Sequence, residues 1–133
     1  MAPTQRELDE SFWMAAHAGD VNKLKELKEA GANPNWMHPC PPEPNQGRAY
    51  QWAALHIASD QGHVEAVKWL SEKGGADINK KYANFGETAM QHVDGRAGKE
   101  NVHAYLKMRS GMLAVLAAQK FAAAQKKAAK PAS

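Results

Sequence analysis

"ALHIASDQGHVEAVKWL" (residues 54–70) decides how this 133-residue chain folds. A His, an Asp and a Glu stand in it among apolar residues, so it could be a catalytic constellation or a structural unit. Spacing separates the two. Leu55 and Ala58 lie three apart, neighbours on one face of a short helix. Gly62 follows as a helix stop. Val64, Val67 and Leu70 then mark the apolar face of a second helix, which Gly74-Gly75 ends. The stretch reads as helix, tight turn, helix. Neither helix is long enough to persist alone in water. Each pair must bury its apolar side against something, and a repeat of the same unit would supply it.

The repeat is present. Ala15, Gly19, Val21, Leu24 and Leu27 match Ala58, Gly62, Val64, Val67 and Leu70 at a constant offset of 43. "GANPN" (31–35) parallels "GADIN" (75–79). Downstream, Met90, Val93, Val102 and Tyr105 match Leu55, Ala58, Val67 and Leu70 at an offset of 35. Three successive units share one apolar template, and the longer offset contains an insertion between Trp36 and Trp52.

At these residues the chain resembles the ankyrin repeat family, whose pattern runs G-x-T-P-L-H-x-A-A-x-x-G-H-x-x-x-V-x-x-L-L and then G-A-D-x-N. The opening stretch followed by "GADIN" fits most of it, "GETAMQHV" (86–93) is a worn copy, and "FWMAAHAGDVNKLKELKEAGANPN" (12–35) resembles an N-terminal capping repeat. The resemblance covers roughly residues 7–107. It implies an all-α ankyrin-repeat solenoid of about three helix-turn-helix repeats with a C-terminal helix. The repeats fall at about 7–35, 50–79 and 84–107 of a domain spanning 1–110, with an inserted loop at 36–52, and 111–133 form a basic Ala/Lys-rich helix and tail. It also gives His56 and His63 structural roles, the former's imidazole bonding backbone and neighbouring loops. Three departures stand out. Ala53-Ala54 replace Thr-Pro, removing the helix-start hydroxyl; Gln91 replaces the motif His; Ala97 occupies the turn-glycine position with Gly98 one residue late, so that turn is expected to be distorted.

The rest of the composition narrows the chemistry. A hydrophobic fraction of 44% and a charged fraction of 23% suit a soluble globular domain. The one cysteine, Cys40, cannot form an internal disulfide, which fits a reducing compartment. No apolar run approaches the ~20 residues a bilayer span needs, and "MAPTQRELDE" lacks the apolar segment of a secretory signal. An intracellular, cytoplasmic protein is therefore expected, without a membrane contact. Glycine-rich phosphate loops, H-E-x-x-H and paired cysteines are all missing from the sequence. His38 and Cys40 could give two zinc ligands with His17 a distant third, but a structural site needs four. The expectation is no catalytic residue, no metal and no cofactor. Asp60 and Glu65 read as solvated helix-face charges, and His92 and His103 have no partner pattern.

Two segments lie outside the template. In "WMHPCPPEPNQGRAYQW" (36–52), Pro39, Pro41, Pro42 and Pro44 favour an extended, polyproline-like path. Trp36 and Trp52 are expected to pack back on the repeats, while the loop tip and Tyr50 could meet a partner. In "GMLAVLAAQKFAAAQKKAAK" (111–130), strong helix formers follow Gly111, which is read as separating this helix from the third repeat. Its first two turns could cover the open end of the array. Charge is divided along the chain: residues 1–98 carry 10 Lys/Arg and 13 Asp/Glu, and residues 99–133 carry 7 Lys/Arg and one Glu. The basic tail suits an acidic surface. Nucleic acid is a weaker partner for it, because only Phe121 interleaves with the lysines.

The expected function is a non-catalytic protein–protein interaction module, an adaptor or scaffold, that binds one or more proteins through its concave face and inserted loop. Pro42, Glu43, Arg48, Tyr50, Lys120, Lys126 and Lys127 are the candidate partner-binding residues. The alternative is a permanent structural subunit of a large assembly, anchored by the 36–52 loop and the basic helix.

Overall fold

The computed structural model describes residues 2–40, 50–81 and 88–128. The helices are α1 (Gln5–Ala18), α2 (Val21–Glu29), α3 (Ala54–Asp60), α4 (Val64–Glu72), α5 (Ala89–Val93) and α6 (Glu100–Ala128); two short strands, β1 (His38–Cys40) and β2 (Tyr50–Trp52), lie between α2 and α3. Consecutive helices pair as hairpins. Across the pairs, α1 packs on α3 and α3 on α5, an inner layer, while α2, α4 and the first turns of α6 form an outer one. The all-α solenoid expected from the periodicity is the architecture observed.

The 43-residue offset is visible in hydrogen bonds. Gly19 and Gly62 both adopt left-handed backbone, φ 73° and 76°. After each, the next residue closes the helix by the same six-to-one bond, Asp20 N–H to Ala15 C=O at 2.9 Å and His63 N–H to Ala58 C=O at 3.0 Å. The "GANPN" and "GADIN" loops, one residue further apart at an offset of 44, contain matching turns, in which Asn33 Oδ1 accepts from the Asn35 N–H and Asp77 Oδ1 from the Asn79 N–H. Successive loops are then stitched together. The Asn35 amide donates to Gly75 C=O at 3.0 Å and accepts from the Asp77 N–H at 2.7 Å. At the N-terminal end the nearly buried Asp9 takes over that office, accepting from Gln5 Nε2 and from the Asn33 N–H, both at 2.8 Å.

One apolar core runs through all three units. Phe12, Leu24, Leu55, Val67, Leu70, Val93, Val102 and Leu106 are fully buried in it. Most of these are template positions, so burial across repeat boundaries is what stabilises helices too short to stand alone.

The third turn departs as expected. Two left-handed glycines, Gly95 and Gly98, lie in it. Lys99, whose carbonyl accepts the first bond of α6 from His103, stands 36 residues after His63, which does the same for Val67 in α4. The turn has absorbed one extra residue. Leu106 consequently occupies the place of Leu70, with Tyr105 buried beside it and its hydroxyl 3.2 Å from Ser71 Oγ.

Two expectations about the C-terminal segment need correction. Gly111 does not separate a tail helix from the third repeat, because α6 is one 29-residue rod that passes through it. Nor do the turns after Gly111 cover the end of the array. Leu113 packs partly on the core, whereas Met112, Val115 and Leu116 are exposed. The physical reason is the same for both. A single glycine costs a helix about 1 kcal/mol, less than the surrounding Ala, Leu, Met, Lys and Gln residues supply, so the helix continues straight out rather than folding back.

Candidate protein-interaction surface

The insertion begins and ends in a two-stranded antiparallel ladder, with His38 opposite Trp52, Pro39 opposite Gln51 and Cys40 opposite Tyr50. The expected polyproline-like path is thus replaced at its base by strand pairing, in which Pro39 takes part. Pro41, Pro42, Pro44, Glu43 and Arg48 lie outside the described residues.

The ladder stands against the inner helices because aromatic side chains reach it from both sides. Trp13, buried on α1, donates its indole N–H to the Trp52 carbonyl at 3.1 Å. Its ring lies 4.3 Å from that of His38, and Trp36 meets His38 edge-on at 5.3 Å. From the opposite side, His92 of α5 meets the Trp52 ring edge-on at 5.0 Å. Trp36, His38 and Trp52 are each half-buried. The expected packing of Trp36 and Trp52 on the repeats is found, and neither residue is fully buried. Aromatic edges held in fixed rotamers expose large contact area with little ordering entropy to lose. Burial lowers the proton affinity of His38 from the ordinary histidine value, with Glu10 opposing.

His92 has partners that the sequence did not reveal. Its Nε2 lies 2.7 Å from Asp60 Oδ1, and its carbonyl accepts from the Arg96 guanidinium. Asp60, read as a solvated helix charge, is therefore half-buried and engaged, and the hydrogen bond from His92 holds its carboxyl below the usual carboxylate range against the opposing effect of burial. His103 likewise lies 3.5 Å from Asp94. In each case the partners sit on different elements, a proximity that no local spacing encodes. Glu65 is exposed on α4, where it pairs only loosely with Lys68 at 3.8 Å.

His56 behaves as the resemblance implied and explains the missing hydroxyl. Its Nδ1 accepts the Ala53 N–H at 2.9 Å, closing the start of α3 from the side, and its Nε2 donates to the Lys80 carbonyl at 2.7 Å. Both ring nitrogens are committed to the neutral form, and burial pushes the pKa down to about 4. In the third unit Gln91 performs half of this task, accepting the Thr88 N–H at 2.9 Å while Thr88 Oγ1 accepts the Gln91 N–H. His63 reaches back to the preceding unit, its Nε2 2.9 Å from the His17 carbonyl.

The other candidate residues are dispersed. Tyr50 is in β2, and Lys120, Lys126 and Lys127 all belong to α6, with Lys120 exposed. The lysines thus lie on a different element from the aromatic platform, whereas Tyr50 stands in the ladder that carries it. Among the described residues, no three His, Cys, Asp or Glu side chains come together as a metal site would require, and no helix is long and apolar enough to cross a membrane.

Stacked helix hairpins, left-handed turn glycines and a histidine closing the middle repeat are the geometry of one repeat architecture. No curated protein matches the chain in sequence. The family profile described as ankyrin repeats, in three copies, matches residues 11–110. Over those hundred residues sequence and architecture agree, and the chain belongs to the ankyrin repeat family.

Proposed function

We propose that the protein is a non-catalytic adaptor that docks a protein partner against its concave face and inserted loop. Ankyrin repeats are in general protein–protein interaction modules. The observation that carries the finer reading is the half-buried set Trp36, His38 and Trp52, braced by Trp13 and His92. Bracing from two repeats at once means the surface is organised before a partner arrives, which favours rigid docking. The loop residues Pro42, Glu43, Arg48 and Tyr50 extend from that platform in sequence and would select the partner. A cytoplasmic scaffold role belongs to the same reading. The test is an affinity capture from native extract with mass spectrometry, comparing the intact chain, a variant with the 38–48 loop shortened, and Trp36→Ala. Partners lost in both variants support the platform; the same partners retained by both refute it.

A second reading, a permanent subunit of a larger assembly anchored by the loop and the basic helix, is favoured by the apolar residues that α6 leaves exposed. Rapid proteolysis of the free protein in both 36–52 and 111–133 would support it, and resistance in both would refute it.

A further inference from the structure

Trp52 is held from two repeats, and the two grips differ. The first repeat holds its backbone, through the Trp13 indole N–H on its carbonyl at 3.1 Å. The third holds its ring, through the imidazole of His92, edge-on at 5.0 Å between centroids and 66° between planes. A hydrogen bond to a carbonyl leaves side-chain torsions open, so of the two grips only the second bears on how the half-buried indole is turned. Helix α5, which carries His92, cannot fix that ring alone. It has five residues, too few for a helix to persist by itself, and its C-cap Asp94 is already extended. The terminal torsion of an imidazole is also broad and roughly two-fold, so packing leaves a choice of flips. Two polar contacts remove the freedom. The Arg96 guanidinium donates to the His92 carbonyl, returning to it across the left-handed Gly95. Asp60, the last residue of α3, takes the ring: its Oδ1 lies 2.7 Å from Nε2. A carboxylate only accepts, so this contact puts a proton on Nε2 and selects one flip. The same bond holds the Asp60 carboxyl below the usual carboxylate range, which keeps the acceptor ionised near neutral pH. His92 is 8% exposed, so little water competes for its proton.

We propose that Asp60 and His92 are positioning residues of the aromatic platform: Asp60 orients the His92 ring, and that ring sets the direction in which Trp52 faces a partner. The proposal rests on the reading of the platform as the docking surface and deepens it, because it gives the third repeat control over a surface built from the insertion. Neither residue has to touch the partner to matter. An indole free to turn must be ordered when the partner arrives, which weakens association by about two- to tenfold for each side chain so immobilised.

The test uses the full chain labelled with 5-fluorotryptophan and followed by fluorine NMR, each of the four indoles being assigned by its own Trp→Phe substitution. Asp60→Ala is expected to move or broaden the Trp52 resonance and to leave that of Trp69, which packs on Phe12, in place. Asp60→Asn keeps an uncharged acceptor of the same shape and should restore the wild-type position. His92→Phe should move Trp52 by itself, and in that background Asp60→Ala should add no further shift, because no ring nitrogen remains for it to orient. Circular dichroism and urea unfolding check that each variant is folded, and should Asp60→Ala not be, His92→Phe with and without Asp60→Asn carries the same comparison. A Trp52 resonance unmoved by Asp60→Ala or by His92→Phe overturns the proposal. So does a full shift from the Asp60 substitution in the His92→Phe background, a failure of Asp60→Asn to rescue, or equal movement of Trp52 and Trp69. None of these readouts needs a partner. Failure of the platform to capture one would therefore sink the adaptor reading alone, and an unmoved Trp52 would sink this proposal alone.

Discussion

Acidification should weaken this fold at one identifiable place, His56. Its Nδ1 faces the Ala53 N–H and its Nε2–H faces the Lys80 carbonyl. A second ring proton would have to sit on Nδ1, donor against donor, inside a site that is 1% exposed. The folded-state pKa of about 4 lies below the ordinary 6.5. Between those values the unfolded chain binds a proton that the folded chain does not, so stability rises with pH there. The contribution is nearly complete above about pH 6.5 and is lost as pH falls from there through about 4. Linkage across that gap gives a loss on the order of 1 kcal/mol between pH 7 and pH 5.5, growing to roughly 3 kcal/mol below pH 4. Asp60, whose pKa is also depressed, stabilises the fold above the usual carboxylate pKa and fails only at more acidic pH, so it does not contribute between pH 7 and 5.5. His38 acts in the same direction as His56.

The assay is urea unfolding of wild type and His56→Gln near pH 7 and near pH 5.5. Gln91 already shows that a glutamine three residues into the helix can accept the cap N–H. The variant therefore keeps the closure at Ala53 and loses the titration. It should be less stable than wild type near pH 7 by roughly 1–2 kcal/mol, because the Lys80 carbonyl loses its donor. Its pH slope should be shallower by about 1 kcal/mol across the interval. A variant that retains the full wild-type slope refutes the argument, and places the titrating group elsewhere.

Leu70→Ala, at a fully buried template position, should cost roughly 2–5 kcal/mol in urea unfolding, and a smaller loss would mean the outer helices do not share the core. Gly74→Ala should cost about 1–3 kcal/mol, since the new methyl would sit 2.7 Å from the Trp69 ring and 2.9 Å from Leu70 Cα; tryptophan fluorescence and thermal unfolding read it. Asp60→Asn should lower stability by about 1 kcal/mol near neutral pH and reduce the loss seen below about pH 4, because the charged acceptor for His92 is gone. Gly111→Ala should raise stability or helix content by up to about 1 kcal/mol, as a methyl there meets nothing within 4 Å; a decrease would mean the chain needs glycine at that point.

What was legible in the sequence is what the repeat makes local. Gly19 and Gly62, Leu24 and Val67, Asn35 and Asn79 recur at fixed offsets because each serves the same turn, core position or loop in successive units. The helix pairs and the core follow from that recurrence, whereas the role of His56 is what the resemblance to the ankyrin pattern implied. The relations that escaped are of another kind. Asp60 and His92 meet from α3 and α5, and Trp13 reaches the ladder across 39 residues of chain. Stacking alone brings them together, so neither partner carries a mark of the other. The one-residue register change in the third turn was signalled by Gly98 being late, but its consequence, Leu106 in place of Tyr105 at the Leu70 position, depends on where α6 starts. Gly111 differs for a simpler reason: its local cost is smaller than the helix propensity of the residues on its two sides.

The continuity of α6 also determines how its exposed residues stand. Had Gly111 divided the helix, Met112, Val115 and Leu116 would lie on a tethered segment, loosely oriented toward the repeats. Instead the rod that carries them is the same one that seats Val102, Tyr105 and Leu106 in the core. The rotation of Met112, Val115 and Leu116 about the α6 axis is thereby set by the packing of the helix's first two turns. Met108 faces a groove between α4 and α6 because Val102 and Leu106 are buried, and Met112 and Val115 follow from Met108 by helix geometry alone. Shifting the start of α6 by one residue would rotate every exposed position on the rod by about 100°, so the extra residue in the third turn fixes not only which side chains enter the core but also which way the protruding helix faces.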